Sequence, residues 1–270
     1  MLLNHCHVMP EGVFNKNRPE EGTLQHLNKI MEELGIEEAV LFAPFTYQIP
    51  EGSYRCNQWL WELIRKKRQF YGFVTVHPLD PDALNILNEF ANKGFVGVKF
   101  HPAIFRVCLD DSAIEPFYAE AEKLNLPILF HVGIHGWQVN CYAPILLDKI
   151  AQNHPRLKII VEHMGGYEFF HQALAVVRNN PNCYAGISTV LQEDYSWYIP
   201  QSELMYLLRT VGPERIIYGA DFPYNGLLRI KRDIEIIRSW NLSQEDEENI
   251  LGKNLKRLLP LKSHSKKNGK

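Results

Sequence analysis

The chain has 270 residues, 46% of them hydrophobic, and 29 basic against 31 acidic side chains give a formal net charge of -2. That size suits one large globular domain, and the near balance of charge lacks the basic footprint of a nucleic-acid binder. No apolar run approaches the roughly 20 residues needed to cross a bilayer, which argues against a membrane protein.

The first residues lack both a charged n-region and a long apolar h-region, so no secretory signal is expected. Five scattered cysteines (Cys6, Cys56, Cys108, Cys141 and Cys183) form no close pair in the sequence. They read as reduced thiols of a cytoplasmic protein, not as a zinc ribbon or a redox dithiol.

Eight apolar runs recur along the chain, roughly one every 30 residues as strand–helix units require. In order they are LLNHCHV from Leu2, AVLFAPF from Ala39, FYGFVTVHP from Phe70 and FVGVKFHP from Phe95. PILFHVG from Pro127, LKIIVEHMGG from Leu157, NCYAGIS from Asn182 and RIIYGADFPY from Arg215 follow. Their nearly continuous apolar and β-branched character is that of parallel strands buried on both faces.

The segments between them carry helix punctuation. In LDPDALNILNEFANKG, Asp80 can cap, Pro81 suits the first helical position and Gly94 can close the end. Ala83, Leu87, Phe90 and Ala91 fall on one stripe. Ile114, Phe117, Ala121 and Leu124 do the same in the next segment. LSQEDEENILGKNLKRLLP runs from Ser243 and acids to bases before Pro260, matching the helix dipole.

Eight alternating units without an internal linker predict an α/β fold, a single-domain (β/α)8 TIM barrel over residues 1–260. A basic tail, LKSHSKKNGK, would occupy 261–270. An open doubly wound sheet is the alternative, but no Gly-rich phosphate loop follows the first strand.

Active sites of such barrels lie at the C-terminal ends of the strands. His5 and His7 close the first run, Lys99 and His101 the fourth, His131 the fifth, His163 the sixth and Asp221 the eighth. With a strand period of two, His5 and His7 project to one side and Cys6 to the other. Any one of these histidines alone would read as a hydrogen-bonded core residue. Their convergence reads differently, because unsatisfied polar groups at strand ends each cost on the order of 1–3 kcal/mol. His131 and Asp221 can complete a three-nitrogen, one-oxygen shell with His5 and His7. Such a shell suits Zn most, with Mn, Fe or Co as alternatives, and leaves a position open for water.

These motifs, in this order over nearly the whole chain, resemble those of the amidohydrolase superfamily. The likeness is to its amidohydrolase-related group of TIM-barrel, metal-dependent hydrolases and decarboxylases. The resemblance implies that His5, His7, His131 and Asp221 are metal ligands and that Asp221 takes the proton from attacking water. It implies that His163 orients or deprotonates that water or binds a second metal. Where the group has aspartate before HxH, this chain has Asn4. Lys99 could be a carbamylated bridge between two metals, a contact to a substrate carboxylate or oxyanion, or a charge paired with Asp221 or Glu162. His101 shares its face and could join it.

Trp137, His135, Tyr142, Tyr224, Asn225 and the cluster YSWYIP from Tyr195 are candidates for the mouth. Cys6 reads as packing. The expected activity is hydrolysis of an amide, ester or lactone carbonyl of a small molecule, with Lys99 hinting at a carboxylate-bearing one. Non-oxidative decarboxylation is the alternative, and a non-catalytic metal-binding barrel is the third reading. A metal-dependent deoxyribonuclease is disfavoured by Lys99 where that group needs glutamate. Relatives often pair, so a homodimer is an open expectation.

Overall fold

The computed structural model describes residues 1–261. The expected basic tail lies outside the described residues apart from Leu261. The strands are β1 (Leu2–His7), β2 (Glu38–Phe42), β3 (Phe70–Thr75), β4 (Gly97–Phe100), β5 (Ile128–His131), β6 (Ile159–Glu162), β7 (Cys183–Gly186), β8 (Ile216–Ile217) and β9 (Gly219–Phe222). All paired neighbours are parallel, in the order β8-β7-β6-β5-β4-β3-β2-β1-β9. The eighth predicted run appears as two strands because Tyr218 breaks it. The Tyr218 N–H donates 3.0 Å to the Ile250 carbonyl, not to a neighbouring strand. With β8 on β7 and β9 on β1, the sheet curls into a TIM barrel.

Helices fill the connections, among them Leu24–Leu34, Ser53–Ile64, Ala83–Asn92, Glu115–Lys123, Leu146–Asn153, Gly166–Asn179, Gln201–Val211 and Leu227–Arg238. The first shows how the sequence sets them. The Thr23 hydroxyl accepts from the His26 N–H, Leu24, Leu27, Ile30 and Met31 form the buried stripe, and Gly35 closes the end at φ 64°. The third begins later than its punctuation suggests, at Ala83. Asp80 accepts from the Asp82 N–H and so caps a turn ahead of the helix.

The core has two layers. The outer one lies between strands and helices. The inner one fills the lower barrel with Leu2, Val40, Phe42, Phe73, Leu129, Ile160 and Ile217, and Leu255, Leu258 and Leu259 form its floor. Large and small residues interlock there. A Cβ at Gly97 would stand 2.4 Å from the Phe73 ring.

Strand β1 does not keep one phase. Leu2 belongs to the inner layer and Leu3 to the outer, so strict alternation would send His5 and His7 outward. A bulge between Leu3 and Cys6, with His5 at φ 63°, resets the pleat. His5 and His7 therefore line the barrel mouth while Cys6 packs in the outer layer.

Cys108 and Cys141, expected as reduced thiols, are instead joined by a disulfide that links the segments after β4 and β5. Cys6, Cys56 and Cys183 are free and buried. Among the described residues, no helix is long and apolar enough to cross a membrane.

Candidate active site

The polar strand ends converge at the C-terminal mouth, around a cavity of about 350 Å³. His5, His7, His101, His131 and Asp221 all reach its wall. His163 and Lys99 do not. His163 lies just beneath the wall and Lys99 is wholly buried behind His5. His5, His163, Thr189 and Asp221 all have positive φ, between 53° and 63°. For such residues this backbone is strained by on the order of 1–3 kcal/mol each, and such strain clusters at functional sites.

Hydrogen bonding fixes which ring nitrogens can act as ligands. Burial holds His131 well below its usual pKa and brings His163 down to about 4, so both rings are neutral and carry one proton each. His131 Nε2 donates to the Gly133 carbonyl at 3.1 Å. His163 Nδ1 donates to the Ser188 carbonyl at 2.8 Å. With both protons so placed, the remaining nitrogens, His131 Nδ1 and His163 Nε2, face each other at 3.1 Å as two lone pairs.

At His5 the free nitrogen also faces an acceptor, with Lys99 as its competing donor. Its Nδ1 lies 3.1 Å from Ser188 Oγ, whose own proton goes to Glu162 Oε1 at 2.9 Å, and 3.2 Å from Glu162 Oε2. That nitrogen therefore carries the ring proton. His5 Nε2 then presents a lone pair 3.2 Å from Asp221 Oδ1, another acceptor. His7 Nε2 is 3.8 Å from the same oxygen.

Acceptors that converge in pairs at this spacing fit the donor set of a cation. Donor atoms of His5, His163 and Asp221 lie within 4.8 Å of one another. His163 is thus drawn into the cluster with His5 and Asp221, two of the four ligands expected from the sequence; the other two lie outside this trio, His131 adjoining it through His163 and His7 lying 3.8 Å from Asp221 Oδ1. A second trio, His101, His131 and His135, is equally close. There His101 Nδ1 already accepts from the Ile104 N–H at 3.3 Å, and the His101 ring stacks on His131 at 3.9 Å.

Burial pushes the Asp221 carboxyl up to about 6. A divalent cation on Oδ1 would pull it back down. Thr189 donates to Asp221 Oδ2 at 3.0 Å, and Asn225 donates to Thr189 Oγ1 at 3.2 Å. Burial likewise lowers Lys99 to about 8. Its ammonium lies 3.1 Å from His5 Nε2 and 5.0 Å from the Phe42 ring. That lone pair cannot serve Lys99 and a metal at once. Asn4, at the position before the pair, makes no side-chain hydrogen bond among the described residues.

The mouth is roofed by the loop after β7. The Trp197 ring centroid lies 4.3 Å from that of His163 and 5.0 Å from that of His131, and its indole N–H donates to the Ile134 carbonyl. A side chain at Gly133 would stand 2.8 Å from that indole. His135, Tyr195, Tyr224 and Asn225 line the cavity as well, whereas Tyr142 lies wholly inside and its hydroxyl accepts from the His135 N–H.

Three contributors escape the sequence reading. Ser188 and Thr189 follow β7 as the other polar residues follow their strands, and that position was their available signal. Arg229, on the helix Leu227–Arg238, carries none, because an arginine on a surface helix looks like any solvated charge.

These residues crown a TIM barrel, and the comparisons agree on that fold. The sequence model of the amidohydrolase family matches residues 5–261, and the chain belongs to that family. No protein of curated function matches it in sequence. Among solved structures it is similar to 2,6-dihydroxybenzoate decarboxylase from Rhizobium, with 19% identity and TM-score 0.72 over 95% of this chain and 97% of that one. It is similar to a dihydroxybenzoic acid decarboxylase from a Polaromonas species holding manganese and 2-nitroresorcinol, with 18% identity and TM-score 0.71 over 95% and 96%. A candidate 2-pyrone-4,6-dicarboxylic acid hydrolase from Pseudomonas putida gives 17% identity and TM-score 0.71 over 95% and 96%.

Proposed function

We propose that the protein is a metal-dependent hydrolase that directs water onto an amide, ester or lactone carbonyl of a small molecule. The observation that carries this reading is the pairing of lone pairs at His131 Nδ1 and His163 Nε2, with His5 Nε2 and Asp221 Oδ1 3.2 Å apart in the same cluster. His5, His7, His131 and Asp221 would hold the ion, with His163 close enough to share it. Zinc suits these donors most, and manganese, iron and cobalt are accommodated by the same set. The bound ion supplies Lewis acidity, lowering the pKa of water toward about 7 and polarising a carbonyl oxygen.

The chain's own residues do the remaining work. Asp221 receives the proton of the attacking water at its carboxylate, which Thr189 keeps oriented through Oδ2. His163 Nε2 is the second acceptor within reach, its tautomer held by the Ser188 carbonyl. Trp197 keeps bulk water off the His131 and His163 rings.

Decarboxylation on the same site is the second reading. It is favoured by the two decarboxylases among the similar structures. Elemental analysis of the purified protein, followed by assay of the metal-loaded form, tests both. About one equivalent of divalent metal per chain with turnover in a lactone and amide panel supports the hydrolase. Carbon dioxide release from aromatic acids without hydrolysis replaces it with the decarboxylase. A metal-bearing protein inert to both panels points to the non-catalytic barrel.

A further inference from the structure

We propose that Arg229, released from Asp194, is the residue that anchors an anionic group of the substrate at the mouth. This rests on reading the cavity as the active site. Among the described residues that line the wall, Arg229 alone carries a permanent positive charge. Lys99, the cation first expected in that role, is wholly buried and does not reach the cavity wall.

Arg229 Nη2 sits 2.5 Å from Asp194 Oδ2, and its guanidinium lies 4.8 Å over the Tyr195 ring. The Asp194 side chain is 63% exposed and that of Arg229 41%. An ion pair that open to solvent is weak, because water screens both charges. It therefore holds the guanidinium in place without committing it.

Space for the exchange exists on both sides. Arg229 and Asp194 also line a second cavity, of about 640 Å³, that opens between the loop after β7 and the helix Leu227–Arg238. Asp194 can swing into that space when a ligand carboxylate takes its place on the planar fork, where paired N–H donors suit two carboxylate oxygens. The stacked Tyr195 ring keeps the guanidinium level during the exchange. Tyr195 is itself fixed by Asp233, whose oxygens accept from its hydroxyl at 3.2 and 3.3 Å. The loop carrying Trp197 is thus tied to the helix carrying Arg229. Arg229 becomes the residue that distinguishes acids from neutral analogues of the same shape.

The test compares benzoate with its neutral isostere benzamide, by titration of tryptophan fluorescence on metal-loaded and on chelated protein. Expected is a preference for benzoate that persists after chelation. It should collapse toward unity in Arg229→Gln, recover in part in Arg229→Lys, and widen by up to about fivefold in Asp194→Asn, where the competing carboxylate is gone. Thermal unfolding and metal content, measured on every variant, show whether each is folded and its donor cluster intact. A benzoate preference unchanged in a folded Arg229→Gln variant overturns the proposal. So does one that vanishes on chelation, or an Asp194→Asn variant with no gain. Should elemental analysis find no metal, the hydrolase reading falls while this titration still judges Arg229.

Discussion

At the scale of single residues, the converging acceptors make the sharpest claims. Asp221→Asn keeps the shape of the side chain but removes the charge and places an amide among acceptors. It should lose the bound metal and reduce turnover by at least about 10²-fold, read by elemental analysis beside the assay of the substrate the panel identifies. Retention of a full equivalent of metal would show that Asp221 is not a ligand.

Asp233 lies outside the donor cluster and makes a separate claim. It is wholly buried and accepts from Gln192, Tyr195 and Tyr218, yet burial still pushes its carboxyl up from 3.8 to about 6. Because the folded-state pKa is the higher one, the native protein binds the extra proton between pH 4 and 6. Stability from this group is therefore full below about pH 4 and falls as pH rises through 6, by at most about 3 kcal/mol. Asp233→Asn has no such proton to lose. Relative to wild type it should gain stability as pH rises from 4 to 7, measured by urea unfolding at several pH values. A pH-independent difference would contradict the raised pKa.

At the scale of elements, strand phase and close packing decide what reaches the site. The eight runs were legible because parallel strands buried on both faces read as apolar stretches with polar ends. The pairing of His5 with His7 was legible from the two-residue period. The bulge that turns them inward was not, since a period of two says nothing about where the pleat resets. Tyr218 looked like one more residue of a continuous strand. Only the packed C-terminal segment, with Ile250 offering its carbonyl, shows why the strand breaks there.

The fit of β3 against β4 gives a test of the scaffold apart from the site. Gly97→Ala would press a methyl group into the Phe73 ring. It should cost about 1–3 kcal/mol in denaturant unfolding, with the metal content unchanged.

At the scale of the whole molecule, residues far apart in sequence acquire partners that local pattern cannot announce. Cys108 and Cys141 are 33 residues apart and become neighbours because β4 and β5 are adjacent. Arg229 and Asp194 meet because the loop after β7 folds over the helix Leu227–Arg238. The donor cluster is assembled from four strand ends in the same way, so its occupancy should register in global stability.

A cation that binds only the folded chain stabilises it by about 2.7 kcal/mol at a hundredfold excess over its Kd. For a chain of this size that corresponds to a rise in Tm of about 5–10 °C. Adding divalent metal to chelated protein should produce such a rise in wild type and in Asp194→Asn, whose carboxylate lies off the donor cluster. In His5→Ala the rise should be lost, because the lone pair facing Asp221 Oδ1 is gone and with it one side of the pairing. A wild-type Tm indifferent to zinc, manganese, iron and cobalt alike would mean that the facing acceptors are reconciled by protons, and the metal site would fall with them.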